Sequence, residues 1–237
     1  MSHYPRLSCL LIAISLAVMI GGCTGKAAPT TSTNAPSQSE PVAAVPVGPV
    51  EIGEKGWEAC PTGALYAVEL RNTRSGAFIV RPELAITAKD SNGKVLFEGS
   101  DTIGYLRPGQ TMVWASNSLV EGGEVASMDF AVKADSSMEV PAGSFPEGGI
   151  EDPRLTQSSL KTTAFDFTFE GSIDNPNPNP LNRATMFFVV RDSTGKLKWG
   201  TQGFLRLVAA GTSPVAPGSM YGVVAPGDTM EVSAVPW

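Results

Sequence analysis

The sequence predicts an all-β protein: two tandem antiparallel β-sandwiches of about 90 residues each, placed after a signal segment and a flexible spacer. Three observations point there. Apolar and polar residues alternate with a period of two through short segments, those segments are bounded by Gly, Pro, Asn and Asp, and no long stretch carries a helical period. The same ordered string of strand and turn residues also occurs twice, about a hundred residues apart, a spacing that means tandem domains and not a solenoid.

The first unit is assigned to residues 53–145 and the second to residues 150–237. Tyr66 to Asn72 reads as a strand that stops at an asparagine, and Phe169 to Asn175 repeats it. Leu84, Ile86 and Ala88 share one face of a following strand, as Met186, Phe188 and Val190 do in the second unit. Each of those strands runs into a turn, Asp90-Ser91-Asn92-Gly93-Lys94 or Asp192-Ser193-Thr194-Gly195-Lys196. The aspartate bonds the backbone two residues on and the glycine takes a positive φ, so both strings read as hairpins. Met128, Phe130, Val132 and Ala134 then close the first unit, and residues 142–153, rich in Gly, Pro and acid, read as the junction.

Phe165, Phe167, Phe169, Gly171 and Ile173 mark the packed face of a strand in the second unit, with Asp166, Thr168, Glu170 and Ser172 on the wet face. Pro226-Gly227-Asp228-Thr229-Met230 lines up with Pro108-Gly109-Gln110-Thr111-Met112, which implies an insertion between about Thr201 and Val223. On that alignment only Glu231 to Trp237 remain after the turn, and the second sandwich is short of its closing strand. Phe204 to Val208, a strand within the insertion, would replace it. A cap of Pro236 and Trp237, or a strand from a partner, would also cover such an edge.

The N-terminus carries a different kind of information. Arg6 precedes the apolar run from Leu10 to Ile20, followed by Gly21, Gly22 and Cys23. The run is about half of the ~20 residues that span a hydrocarbon core, so residues 1–22 read as an export signal and not as an anchor. Ile20-Gly21-Gly22-Cys23 resembles the lipobox of bacterial lipoproteins. That resemblance implies cleavage before Cys23 and attachment of a diacylglycerol (palmitate-type) group to its thiol, hence an exported protein held at the membrane and facing the periplasm or cell exterior. Residues 23–52 then form the lipidated cysteine and a tether of Thr, Ser, Ala, Pro, Gln and Val that cannot close a core. As a flexible coil it reaches about 30 Å.

Both units resemble the immunoglobulin-like modules of bacterial surface lipoproteins, of the FxLYD type. Leu70-Arg71-Asn72, Asp90 to Gly93 and Leu106-Arg107-Pro108-Gly109-Gln110-Thr111 carry the likeness in the first unit, and Ile173-Asp174-Asn175, Asp192 to Gly195 and Pro226 to Thr229 in the second. Ile86-Thr87-Ala88-Lys89-Asp90 stands where that family has its aromatic-x-Leu-Tyr-Asp string. The resemblance implies a noncatalytic extracellular module with no catalytic residues to carry over.

Composition narrows the chemistry. The single histidine, His3, lies within the signal, so the mature chain has no imidazole for Ser-His-Asp or Cys-His catalysis, for His-ligated zinc or for a pH switch. Removal of Arg6 leaves the mature chain one unit more negative than the whole chain's −6, which argues against nucleic acid as a partner. Cys9 leaves with the signal and Cys60 has no mature partner if Cys23 is lipidated, so Cys60 is expected as a small buried hydrophobe.

No catalytic, metal or cofactor site is expected. Asp90 to Gly93 lacks the spacing of an EF-hand loop. Glu98 with Asp101, Glu121 with Glu124, and Asp228 with Glu231 are the carboxylate pairs a glycosidase would need, and sit among turns and solvent faces. Trp57, Trp114, Trp199 and Trp237 are either core residues or a stacking platform for a glycan. Asn175-Pro176-Asn177-Pro178-Asn179-Pro180 reads as a rigid connection between two strands, with a recognition loop as the alternative reading. Asn175, Asn177, Asn179, Trp199 and Trp237 are therefore the candidate contacts, and an envelope protein or glycan is the expected partner. An envelope hydrolase built on a carboxylate pair and an accessory subunit of a membrane complex are the alternatives.

Overall fold

A computed structural model describes residues 48–120, 123–144, 150–163, 166–215 and 219–236. Among these residues the regular structure is β, apart from two three-residue 3₁₀ turns, at Ser136–Met138 and Ala142–Ser144. The first half of the chain forms β1 (Val50–Cys60), β2 (Gly63–Asn72), β3 (Ala77–Val80), β4 (Glu83–Lys89), β5 (Val95–Thr102), β6 (Tyr105–Leu106), β7 (Thr111–Leu119), β8 (Ser127–Lys133) and β9 (Glu139–Pro141). The second forms β10 (Arg154–Thr162), β11 (Asp166–Asn175), β12 (Leu181–Arg191), β13 (Leu197–Val208), β14 (Gly211–Val215), β15 (Ser219–Tyr221) and β16 (Thr229–Pro236).

Every strand pairing is antiparallel. The larger sheets run β1-β2-β7, β5-β4-β8, β13-β12-β16 and β10-β11-β14, with β15 also on β11, while β6-β3-β9 makes a small sheet. β1, β2, β4, β5, β7 and β8 recur in pairing order as β10, β11, β12, β13, β14 with β15, and β16. The repetition extends to detail. Register shifts interrupt β1 between Ile52 and Lys55 and β10 between Gln157 and Ser159, and both Asp-Ser hairpins follow a shift, at Ala88/Lys89 and Val190/Arg191. Asp90 and Asp192 each accept two backbone N–H bonds through Oδ1 at 2.8–3.1 Å, and Gly93 and Gly195 sit at φ 80° and 85°. A side chain at either glycine would meet the left-handed penalty, so both hairpins need glycine.

The second Pro-Gly turn corrects the expected alignment. Thr111 opens β7, which joins β2, but Thr229 opens β16, which joins β12 as β8 joins β4. The second half thus has its closing strand. A Pro-Gly turn specifies local chain reversal and a strand start, not the sheet that the strand enters. The segment 201–223 supplies the rest of β13, β14 and β15, and Phe204 to Val208 pairs with β12. β1 also begins at Val50, inside the stretch expected as tether, and the polar strand β10 lies where no strand was expected.

The sheets stack through apolar faces. Tyr66 of β2 meets Phe130 of β8 with ring centroids 5.5 Å apart, and Phe167 and Phe169 of β11 meet Phe188 of β12 at 5.3 and 5.5 Å. Ala64 to Val68 on β2 and Ala184 to Val190 on β12 are buried on both faces, the mark of inner layers. The β1-β2-β7 sheet has the β5-β4-β8 sheet on one side and the β13-β12-β16 sheet on the other. β13 crosses the inner sheet steeply: Lys198 lies near Glu58 of β1, Gly200 over Ala67 of β2 and Ala115 of β7, and Gln202 donates to Ser116 of β7 at 3.1 Å. A β-carbon at Gly200 would stand 2.7 Å from that of Ala115 and 3.1 Å from that of Ala67. Residues 48–236 consequently belong to one compact unit.

Candidate functional site

Where the two repeats meet, charge is concentrated, with two cations shared among four carboxylates. The register shift in β1 directs Glu54 at the second repeat, where Oε1 accepts from the Leu197 N–H at 2.7 Å and Oε2 pairs with Arg191 at 3.0 Å. Arg191 also pairs with Glu231 at 3.0 Å. One turn of hairpin away, Lys198 donates to Asp228 at 2.9 Å and lies 3.9 Å from Glu58. The Asp228 hydrogen bond holds the Lys198 ammonium above its ordinary pKa. Asp228 and Glu231 are therefore each tied to a cation, Lys198 and Arg191, in contacts that hold the hairpins together. Asp101 accepts from the Tyr66 hydroxyl at 2.6 Å and the Trp114 indole at 2.8 Å, which is a structural task. Glu98 and Glu124 are exposed, and Glu121 lies outside the described residues.

The asparagines at the strand ends are fasteners. Asn72 is fully buried, donating from Nδ2 to the carbonyls of Ala77, Leu106 and Arg107 at 2.8–3.1 Å and accepting the Arg74 N–H at 2.8 Å. Asn175, equally buried, donates to the carbonyls of Asn179 and Val208 and accepts from the backbone and side chain of Asn177. Its amide is consumed within the fold, and no free polar edge is left for a ligand. Asn177 clamps the backbone of Glu151, accepting its N–H and donating to its C=O, both at 2.9 Å. Asn179 is exposed.

Trp199 is enclosed in the second core against Phe167, with the Gly222 backbone against its ring, so no face of it is open for stacking. Trp114 is buried beside Phe187 and Trp57 is half-buried against the first core. Trp237 and Cys23 lie outside the described residues. Cys60 ends β1 half-buried, a less complete burial than its expected role, because the β1–β2 turn places it at the rim of the second core.

From the first repeat, Arg107 holds the same junction segment that Asn177 holds from the second. Its guanidinium forks onto Asp152 at 2.5 and 2.8 Å and donates to the Ile150 carbonyl at 2.8 Å. The hydrogen bond to Asp152 raises the Arg107 pKa further. Sequence reading had no signal for this clamp, because its partners are 45 residues apart and separately unremarkable.

Beside the clamp lies an open groove of about 680 Å³. Residues 110–113 at the start of β7 form one wall and residues 231–235 of β16 the other, with residues 152–155 between them. β7 pairs only with β2 and β16 only with β12 among the described residues, so both walls are sheet edges. No group of three or more His, Cys, Asp or Glu side chains that could hold a metal occurs among the described residues. No protein-family model matches the chain, and no curated protein matches it.

Proposed function

We propose that the protein is a lipid-anchored envelope or cell-surface protein that binds or scaffolds another envelope component without catalysing a reaction. The single observation that carries this reading is the order of the chain: an apolar signal, Ile20-Gly21-Gly22-Cys23, a spacer without core residues, and then one compact all-β body. Two acyl chains hold a protein at a bilayer where one gives only marginal binding. The spacer lifts the body about 30 Å from the surface, within reach of a neighbouring envelope protein or glycan. Consistent with a noncatalytic role, Asp228, Glu231 and Asp101 are each engaged in bonds that stabilise the fold.

The test is Cys23→Ser in the native host. Palmitate labelling should disappear and the protein should leave the membrane fraction. Retained labelling or unchanged fractionation would remove the lipid anchor from the proposal.

A further inference from the structure

We draw no further inference here: the strongest candidate, the open groove between the sheet edges of β7 and β16, carries nothing because nothing in the structure shows what covers it.

Discussion

Replacing Gly56 by alanine tests the contact that joins the two repeats into one body. A β-carbon there would lie 2.6 Å from the Lys198 carbonyl oxygen and closer still to that of Leu197, both main-chain atoms. Neither side can yield alone. Gly56 is locked opposite Ala67 in the β1–β2 ladder, and Leu197 is held by the β12 ladder and by Glu54. Restoring an ordinary carbon–oxygen contact requires the sheets to part by roughly 1 Å, which loosens dispersion contacts across the layer. Overpacking of this kind costs about 1–3 kcal/mol. The loss of glycine's conformational freedom in a strand returns about 0.5–1 kcal/mol, leaving a net destabilisation of about 1–2 kcal/mol. At about 2–4 °C per kcal/mol for a body of this size, the midpoint of thermal unfolding followed by circular dichroism should fall by about 2–8 °C. Gly76→Ala is the matched control, because nothing lies within 4 Å of its β-carbon position and its φ is not left-handed. It should be neutral or raise the midpoint. If Gly56→Ala behaves like Gly76→Ala, the repeats do not touch as described and the single-body reasoning fails.

Three further outcomes follow from the side chains that hold the loops and the inner layer. Asn72→Ala should cost about 2–4 kcal/mol in chemical denaturation, since it removes a fully buried amide and strands the carbonyls it served; a loss below about 1 kcal/mol would contradict that role. Arg107→Lys replaces a fork by a point charge, so limited proteolysis should cut within 144–153 sooner than in the parent, and an unchanged cleavage rate would count against the clamp. Burial, then the negative charge of Asp101, push the Tyr66 phenol above its ordinary pKa of 10.0. The folded state then keeps a proton that the unfolded state releases, so this group's contribution is intact below about pH 10 and is lost as pH rises beyond it. Tyr66→Phe should therefore show a shallower fall in stability between pH 9 and pH 11 than the parent, and parallel curves would refute the linkage.

Much of the fold was legible because its signals are local. Asp90 and Asp192 organise their hairpins by short-range bonds, and the alternation of Phe167, Phe169 and Ile173 follows directly from burial of one face of a strand. Asn72 and Asn175 were visible as strand stops, although their work as buried fasteners depends on carbonyls up to 35 residues away. What stayed hidden is set at long range. The Pro-Gly turns at 108 and 226 share their chemistry but feed different sheets, and β10, with only Leu155 and Leu160 as large apolar residues, carries too little pattern to stand out. The unbroken apolar runs of β2 and β12 are the trace of their inner position, but partner sheets cannot be read from a run alone. At the candidate site, Asn175 and Trp199 were singled out for side-chain type, and the structure spends both on packing. The groove is built mainly from main-chain edges, which side-chain identity does not announce.

The central functional claim, a lipid-held binding body, is tested most directly by mass spectrometry of the N-terminal peptide of protein extracted from native membranes. The account predicts a chain that begins at Cys23 and carries a diacylglyceryl thioether, with or without a further amide-linked acyl chain. A membrane-extracted chain that retains residues 1–22, or one whose Cys23 carries a free thiol, would contradict it.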